Sequence, residues 1–323
     1  MTSTSASINF ITKQLQIYVG LFFITTGIIG STIYFLLFFY SPKLNRRAYS
    51  HYILTLSLLS IIYLLNTLLS RVVINGFGID LTTQSRFLCK FRAYSNQYLL
   101  LCFMYLFVLA SFDRYTATKR EVEERKWTRK KYVHRFIMIN LLFWLVICIP
   151  HLIAYNIGSN GQCACLSSDY QLYLNYFAAP ALVCLFPNML VGVLGVLTYR
   201  NLTQLHQRQR SLERQLIRLN LSHICATVLS TTPYCLQRLY AVIYNAPKST
   251  VQLALDSLFI SIGQLSLGCC FASIFYTSFL TSKDIRMETS KLFLVVIRGK
   301  RQNQIQPTRT VTRLSTMAMR MMA

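Results

Sequence analysis

Three groups of residues in this 323-residue chain have the types and spacing to do chemistry. Asp113-Arg114-Tyr115 places an acid beside a base at the end of a long apolar stretch. Arg92, Asn96 and Gln97 form a second polar group, with Arg92 and Asn96 four residues apart and so on one face of a helix. Tyr234, Gln237 and Arg238 offer matching groups later in the chain. Cys89, Cys163 and Cys165 form the third group. The chemistry on offer is charge pairing, recognition of an anion and thiol oxidation. Covalent or metal catalysis is not signalled: the chain has no P-loop, GxSxG, HExxH or paired-cysteine zinc spacing, and its five histidines are scattered. It reads as a non-enzyme with no cofactor and no metal.

The elements that must position these residues are hydrophobic. Seven apolar runs fall at about 17–40, 50–73, 87–112, 133–154, 172–199, 215–243 and 251–280. Each reaches the roughly 20 residues a helix needs to cross a bilayer. Lipid offers a backbone no hydrogen-bond partners, so such runs must be helices. Charged residues make up 13% of the chain, against roughly 25% in soluble domains. The fold class is an all-α membrane protein, a seven-transmembrane helix bundle over residues 17–282. Residues 1–16 read as an extracellular N-terminal segment. Residues 283–323 read as a short amphipathic helix along the membrane surface followed by a basic tail.

The net charge of +23 is unevenly placed. Twenty-six of the 33 lysines and arginines lie after the first, third, fifth and seventh runs. The positive-inside rule puts those segments in the cytoplasm and the N-terminus outside. The basic surface therefore faces anionic lipid and cytosolic partners, with no nucleic acid implied. The opening segment lacks a positive n-region, so the first run reads as an uncleaved anchor. Between the third and fourth runs, Glu121 and Arg125 sit at helical spacing and suggest a short surface helix.

Seven of the ten cysteines fall inside apolar runs and read as small buried hydrophobes. Cys89 stands at the outer end of the third run, and Cys163 and Cys165 in the polar outer loop SNGQCACLSSD. The outside is oxidising, so Cys89 is expected to bond Cys163 or Cys165; the sequence leaves the choice open.

Asp113-Arg114-Tyr115 closes the third of seven runs on the expected inner side and resembles the DRY motif of rhodopsin-like (class A) G protein-coupled receptors. Cys89 precedes Arg114 by 25 residues, as in that family. Trp144, Pro187 and Pro233 fall where the family places Trp and Pro, and Tyr276 sits like the tyrosine of its NPxxY motif. The resemblance covers residues 15–295. The chain departs from the pattern at Gly30-Ser31, at Ser60 in place of a buried Asp, at Ala272 and Ser273 in place of Asn-Pro, at Ser230-Thr231-Thr232 before Pro233, and at Gly195 in place of a tyrosine. The family's sodium site therefore lacks its carboxylate and its Asn partner.

The resemblance implies a plasma-membrane receptor that transmits binding of an extracellular ligand to a heterotrimeric G protein, with arrestin as a partner of the phosphorylated tail. Its switch would comprise Asp113, Arg114, Tyr115, Glu213, Tyr276 and Pro233. Arg114 at the membrane boundary needs a carboxylate, which Asp113 or Glu213 can supply. Glu213 precedes Pro233 by 20 residues, about 30 Å along a helix, and otherwise reads as a solvated loop charge. The ligand pocket would comprise Arg92, Asn96, Gln97, Tyr234, Gln237 and Arg238. Asn96 stands where amine receptors carry Asp, so an amine would lack its usual partner. Two arginines favour an anionic group on a peptide-like ligand; the alternative is that both snorkel to the lipid interface. No lysine lies in the seventh run, which excludes a retinal Schiff base. The competing readings are a small transporter or channel, and a receptor-like protein without G protein signalling. All ten acidic residues fall in loops, tails or helix ends, which disfavours the transporter.

Overall fold

The computed structural model describes residues 2–41, 44, 48–119, 124–159, 161–203, 207–244 and 249–298, without the side chains of 2–3, 124–125, 202–217, 242, 293 and 295–298. Seven long helices follow one another: α1 Thr2–Tyr40, α2 Tyr49–Phe77, α3 Arg86–Ala117, α4 Lys130–Ala154, α5 Ser168–Asn201, α6 Gln207–Ile243 and α7 Thr250–Thr281. A two-stranded antiparallel hairpin, β1 Tyr155–Ile157 and β2 Cys163–Cys165, joins α4 to α5. Lys283–Arg298 forms an eighth helix, α8, in a separate compact unit that begins after Ser282. Within it Lys291 pairs with Glu288 at 2.8 Å.

Among the described residues six helices, α1 to α5 and α7, are long and apolar enough to cross a membrane. The protein is an all-α, multi-pass membrane protein. α6 is as long, but its apolar run is diluted by Asn220, His223, Thr231 and Gln237, all buried. Its polar residues thus turn inward. The converse holds on α4, where Met138, Ile139, Leu142, Phe143 and Val146 are all exposed. So continuous an apolar face has no place in water and suits lipid.

Local chemistry sets several ends. Ser249 and Gln252 form a reciprocal capping box that starts α7, with hydrogen bonds of 3.3 and 2.8 Å. Gly78, at φ +76°, supplies the left-handed residue that ends α2. α1 reaches back to Thr2, so residues 2–16, expected as a separate segment, continue the first helix. Polar residues there give no apolar periodicity, which is why the run seemed to begin at 17. Glu121 lies outside the described residues; Glu124–Thr128 forms a short 3-10 turn.

α1 packs along α2 and α7, α7 along α6, α6 along α5, and α5 along α3, which also meets α2, α4 and α6. The ring closes around aromatic contacts: Tyr63 stacks on Phe271 at 3.7 Å, and Phe271 meets Phe103 at 4.0 Å. Small residues let α1 approach α7. A Cβ on Gly27 would lie 2.8 Å from the Cβ of Ala272 and 3.1 Å from its Cα. Backbone cannot yield as a side chain can, so Gly27→Ala should destabilise by about 1–3 kcal/mol through overpacking. At Gly192 an added Cβ meets nothing within 4 Å, and Gly192→Ala should be neutral or gain up to about 1 kcal/mol of helix propensity. Thermal midpoints of the two variants in lipid nanodiscs check this; equal midpoints would refute the close packing.

Candidate functional site

The sequence wraps polar groups around one cavity at the end of the bundle that holds Cys89. It has a volume of about 470 Å³, within the range of roughly 300–1,000 Å³ of ligand pockets. α3 contributes Arg92, Asn96 and Gln97, and α6 contributes Tyr234 and Arg238. The sequence joined these five residues, and they line one space. Gln237 does not line it: its Cβ lies against Gly263 of α7. One residue along a helix is a turn of about 100°, and here that turn carries Gln237 toward α7 while Arg238 faces the cavity. Tyr240, also on α6, stacks on Tyr244 at 5.1 Å and does not line the cavity.

Arg71, from α2, lines the same cavity. Its charge is close enough to interact with those of Arg92 and Arg238. Sequence reasoning did not bring Arg71 to the pocket. The available signal was a lone arginine inside an otherwise apolar run, which in a membrane faces the bundle interior or water. Its placement follows from a local distortion. Residues Leu64–Leu68 and Val72–Phe77 form π-helical turns flanking Leu69–Arg71. Leu174–Leu185 in α5, which contains Pro180, is π-helical too and brings Leu174, Asn175, Ala178 and Ala179 to the cavity. A wider turn shifts which residues share a face, and such turns concentrate at functional sites.

Tyr234 and Arg238 hold each other. The Arg238 Nε donates to the Tyr234 hydroxyl at 3.1 Å, and its guanidinium lies 5.2 Å from the ring centroid. No carboxylate lines the cavity among the described residues. Three lining acceptors, Thr67 Oγ1, Asn96 Oδ1 and Gln264 Oε1, are buried without a hydrogen-bond partner among the described residues.

The hairpin contributes Tyr155, Cys163, Ala164 and Cys165 to the lining. Cys89 of α3 bonds Cys163, with the two Cα atoms 5.6 Å apart. This resolves the choice left open by the sequence; Cys165 is a free thiol 3.4 Å from the Ser167 carbonyl. Burial pushes the Tyr155 phenol up, Cys165 adds to the rise, and Arg238 and Arg92 pull the other way. His151 sits beneath the hairpin with its Nδ1 2.7 Å from the Tyr170 hydroxyl. A second disulfide joins Cys184 of α5 to Cys235 of α6, Cα to Cα 5.7 Å. Both had been read as buried hydrophobes. Their apolar surroundings hide the pairing, which depends on how the two helices rotate against each other.

At the opposite end of α3, Asp113 and Arg114 are both buried and paired, with Nε at 3.2 Å and Nη2 at 2.5 Å from one carboxylate oxygen. The guanidinium also lies over the Tyr49 ring of α2 at 4.5 Å. Of the two carboxylates considered for Arg114, Asp113 serves; the side chain of Glu213 lies outside the described residues. Tyr115 is half-buried beneath the Lys119 ammonium, 5.0 Å from its ring. Tyr276 turns away from this pair: its hydroxyl donates to the Thr26 carbonyl of α1 at 2.9 Å. Pro233 lies within α6, its carbonyl facing α7 at Gly263.

A buried polar chain ties three helices near this end. His223 Nε2 lies 2.7 Å from Ser278 Oγ, which lies 2.7 Å from the Tyr34 hydroxyl, and His223 Nδ1 lies 3.0 Å from Thr277 Oγ1. Sequence reasoning had left His223 as one of five scattered histidines. No group of three His, Cys, Asp or Glu side chains among the described residues is placed to hold a metal ion. The arrangement can bind and pair charges. No protein-family model matches the chain, and no curated protein matches it.

Proposed function

We propose that the chain is a seven-span receptor of the plasma membrane, with its N-terminus outside and its C-terminus in the cytoplasm. It passes binding of an extracellular, peptide-like ligand to a heterotrimeric G protein. The observation that carries the reading is the pairing of two features at opposite ends of α3. A roofed polar cavity takes in Arg92 and Asn96 near one end, and a buried Asp113–Arg114 pair closes the other. One rigid helix of 32 residues links them, so a ligand that shifts α3 or α6 biases both ends together. α6 would be the sixth span in order and bring the total to seven, its inward polar residues accounting for its lower hydropathy. Pro233, which frees a carbonyl in α6, would give that helix its leverage. α8 and the basic tail would face lipid and arrestin.

The test is nucleotide exchange. Cells expressing graded amounts of the chain with sensors for each G protein class should show dose-dependent exchange in one class, and Arg114→Ala should abolish it at equal surface expression. Exchange in no class, or a C-terminal tag reached by antibody without permeabilisation, would sink the receptor. Substrate flux in place of exchange would mark a transporter.

A further inference from the structure

The cavity has a charge problem that its own residues do not solve. Arg71, Arg92 and Arg238 come from three helices, line one space of about 470 Å³ and interact through their charges. A guanidinium cannot lose its proton in a protein, and no carboxylate lines the wall among the described residues. Among the described residues Arg71 and Arg92 have no hydrogen-bond acceptor, and Arg238 has the Tyr234 hydroxyl. The same wall holds Thr67 Oγ1, Asn96 Oδ1 and Gln264 Oε1, buried and without partners among the described residues; Thr67 itself is 2% exposed. Guanidinium groups call for an oxyanion, and planar ones favour a bidentate carboxylate. Orphaned acceptors call for N–H or O–H donors close to it, because a buried polar atom left unpaired is costly.

We infer that the cavity is a carboxylate site: Arg71, Arg92 and Arg238 clamp a carboxylate, and Thr67, Asn96 and Gln264 accept hydrogen bonds from N–H or O–H groups of the same ligand. This deepens the ligand-binding half of the function proposed above and adds Arg71 as a ligand contact. It also excludes a simple amine, which would meet three positive charges and no counter-charge. A peptide carrying a free C-terminal carboxylate and its adjacent amide N–H groups has this chemistry, and so has a small hydroxylated organic acid.

The experiment reads binding on the purified full chain in lipid nanodiscs, by the thermal midpoint of intrinsic fluorescence, at fixed pH and ionic strength. Tricarballylate, a compact tricarboxylate, should raise the midpoint relative to chloride at millimolar concentration. Arg71→Gln, Arg92→Gln and Arg238→Gln should each weaken that effect tenfold or more, while Lys13→Gln keeps it. Without anion, Arg71→Gln should melt no lower than the parent chain, since a repelling charge has gone. If it fails to fold, Arg71→Lys, which keeps the charge and loses the fork, should show a weakened rise. A pool of N-acetylated tripeptide acids is compared with the same pool as C-terminal amides. Acids acting at lower concentration than tricarballylate assign the site to a peptide C-terminus, and acids acting no better assign it to a small organic acid; both uphold the carboxylate site. It is overturned by no rise with either probe, by an equal rise with the amides or with spermidine, or by a rise that survives all three arginine substitutions. The readout contains no G protein, so anion binding without nucleotide exchange would sink the receptor alone, and exchange without anion binding would sink the carboxylate site alone.

Discussion

Asp113→Ala should destabilise the bundle by about 3–5 kcal/mol, the cost of removing one partner of a buried ion pair. Both side chains lie nearly out of solvent, Asp113 at 3% and Arg114 at 6% exposure. Removing the carboxylate leaves Arg114 with a permanent charge and deprives its guanidinium of an acceptor that two of its nitrogens now use. Its contact with the Tyr49 ring supplies only about 0.5–2 kcal/mol, less than the pair. The reverse deletion, Arg114→Met, should cost less, because a lone carboxyl can bind a proton while a lone guanidinium cannot release one. The double variant Asp113→Ala/Arg114→Met should recover most of the loss, since a neutral pair of similar volume is often as stable as the charged one. Thermal midpoints of the four proteins in nanodiscs form the cycle. If Asp113→Ala melts with the parent protein, the pair does not neutralise Arg114. The signalling reading adds an independent outcome: Asp113→Ala should raise ligand-free nucleotide exchange at equal surface expression.

The cavity depends as much on distorted helices as on regular ones, and this sets how far the sequence could be read. The spans were legible because lipid forces a simple pattern: long apolar runs must be helices, and the ends of α3, α4 and α7 fall within a few residues of their apolar runs. Arg92 and Asn96 were placed together because α3 is a regular α-helix and residues four apart share its face. Arg71 was not, because the π-helical turns on either side of it break that spacing and nothing in an apolar run announces a π turn. Gln97 and Gln237 each neighbour a cavity residue, yet Gln97 lines the cavity and Gln237 packs toward Gly263 of α7, a difference set by how each helix is rotated in the bundle. Thr67 and Gln264 are polar residues within apolar runs, and only the folded bundle shows that they face the arginines. α6 shows a further limit. Composition alone ranks it below the other spans, and its polar residues become intelligible only once Asn220, His223 and Gln237 are seen to be buried.

Cys163 and Cys165 illustrate the same boundary between pattern and packing, and they carry the second large effect. Residues two apart in a strand point to the same side, so no alternation could separate them; the docking of the hairpin across α3 decides. Cys89→Ser and Cys163→Ser should each lower stability by about 2–4 kcal/mol, and Cys165→Ser should change it little. The separation of 74 positions between the bonded cysteines would give about 4 kcal/mol if the intervening chain were free when unfolded. It is not free: α3 and α4 stay confined by the membrane, which places the effect toward the lower end. The larger consequence is local. Without the bond, β1 and β2 keep their short hairpin pairing but lose the tether that holds Cys163, Ala164 and Cys165 against the cavity. Tricarballylate stabilisation should therefore fall more steeply in Cys163→Ser than the midpoint itself. Because the two thiols form one bond, Cys89→Ser/Cys163→Ser should match either single variant and not the sum of both. Non-reducing peptide mapping joins this to the covalent state: a Cys89–Cys165 peptide, or a Cys165→Ser variant as unstable as Cys163→Ser, would overturn the pairing.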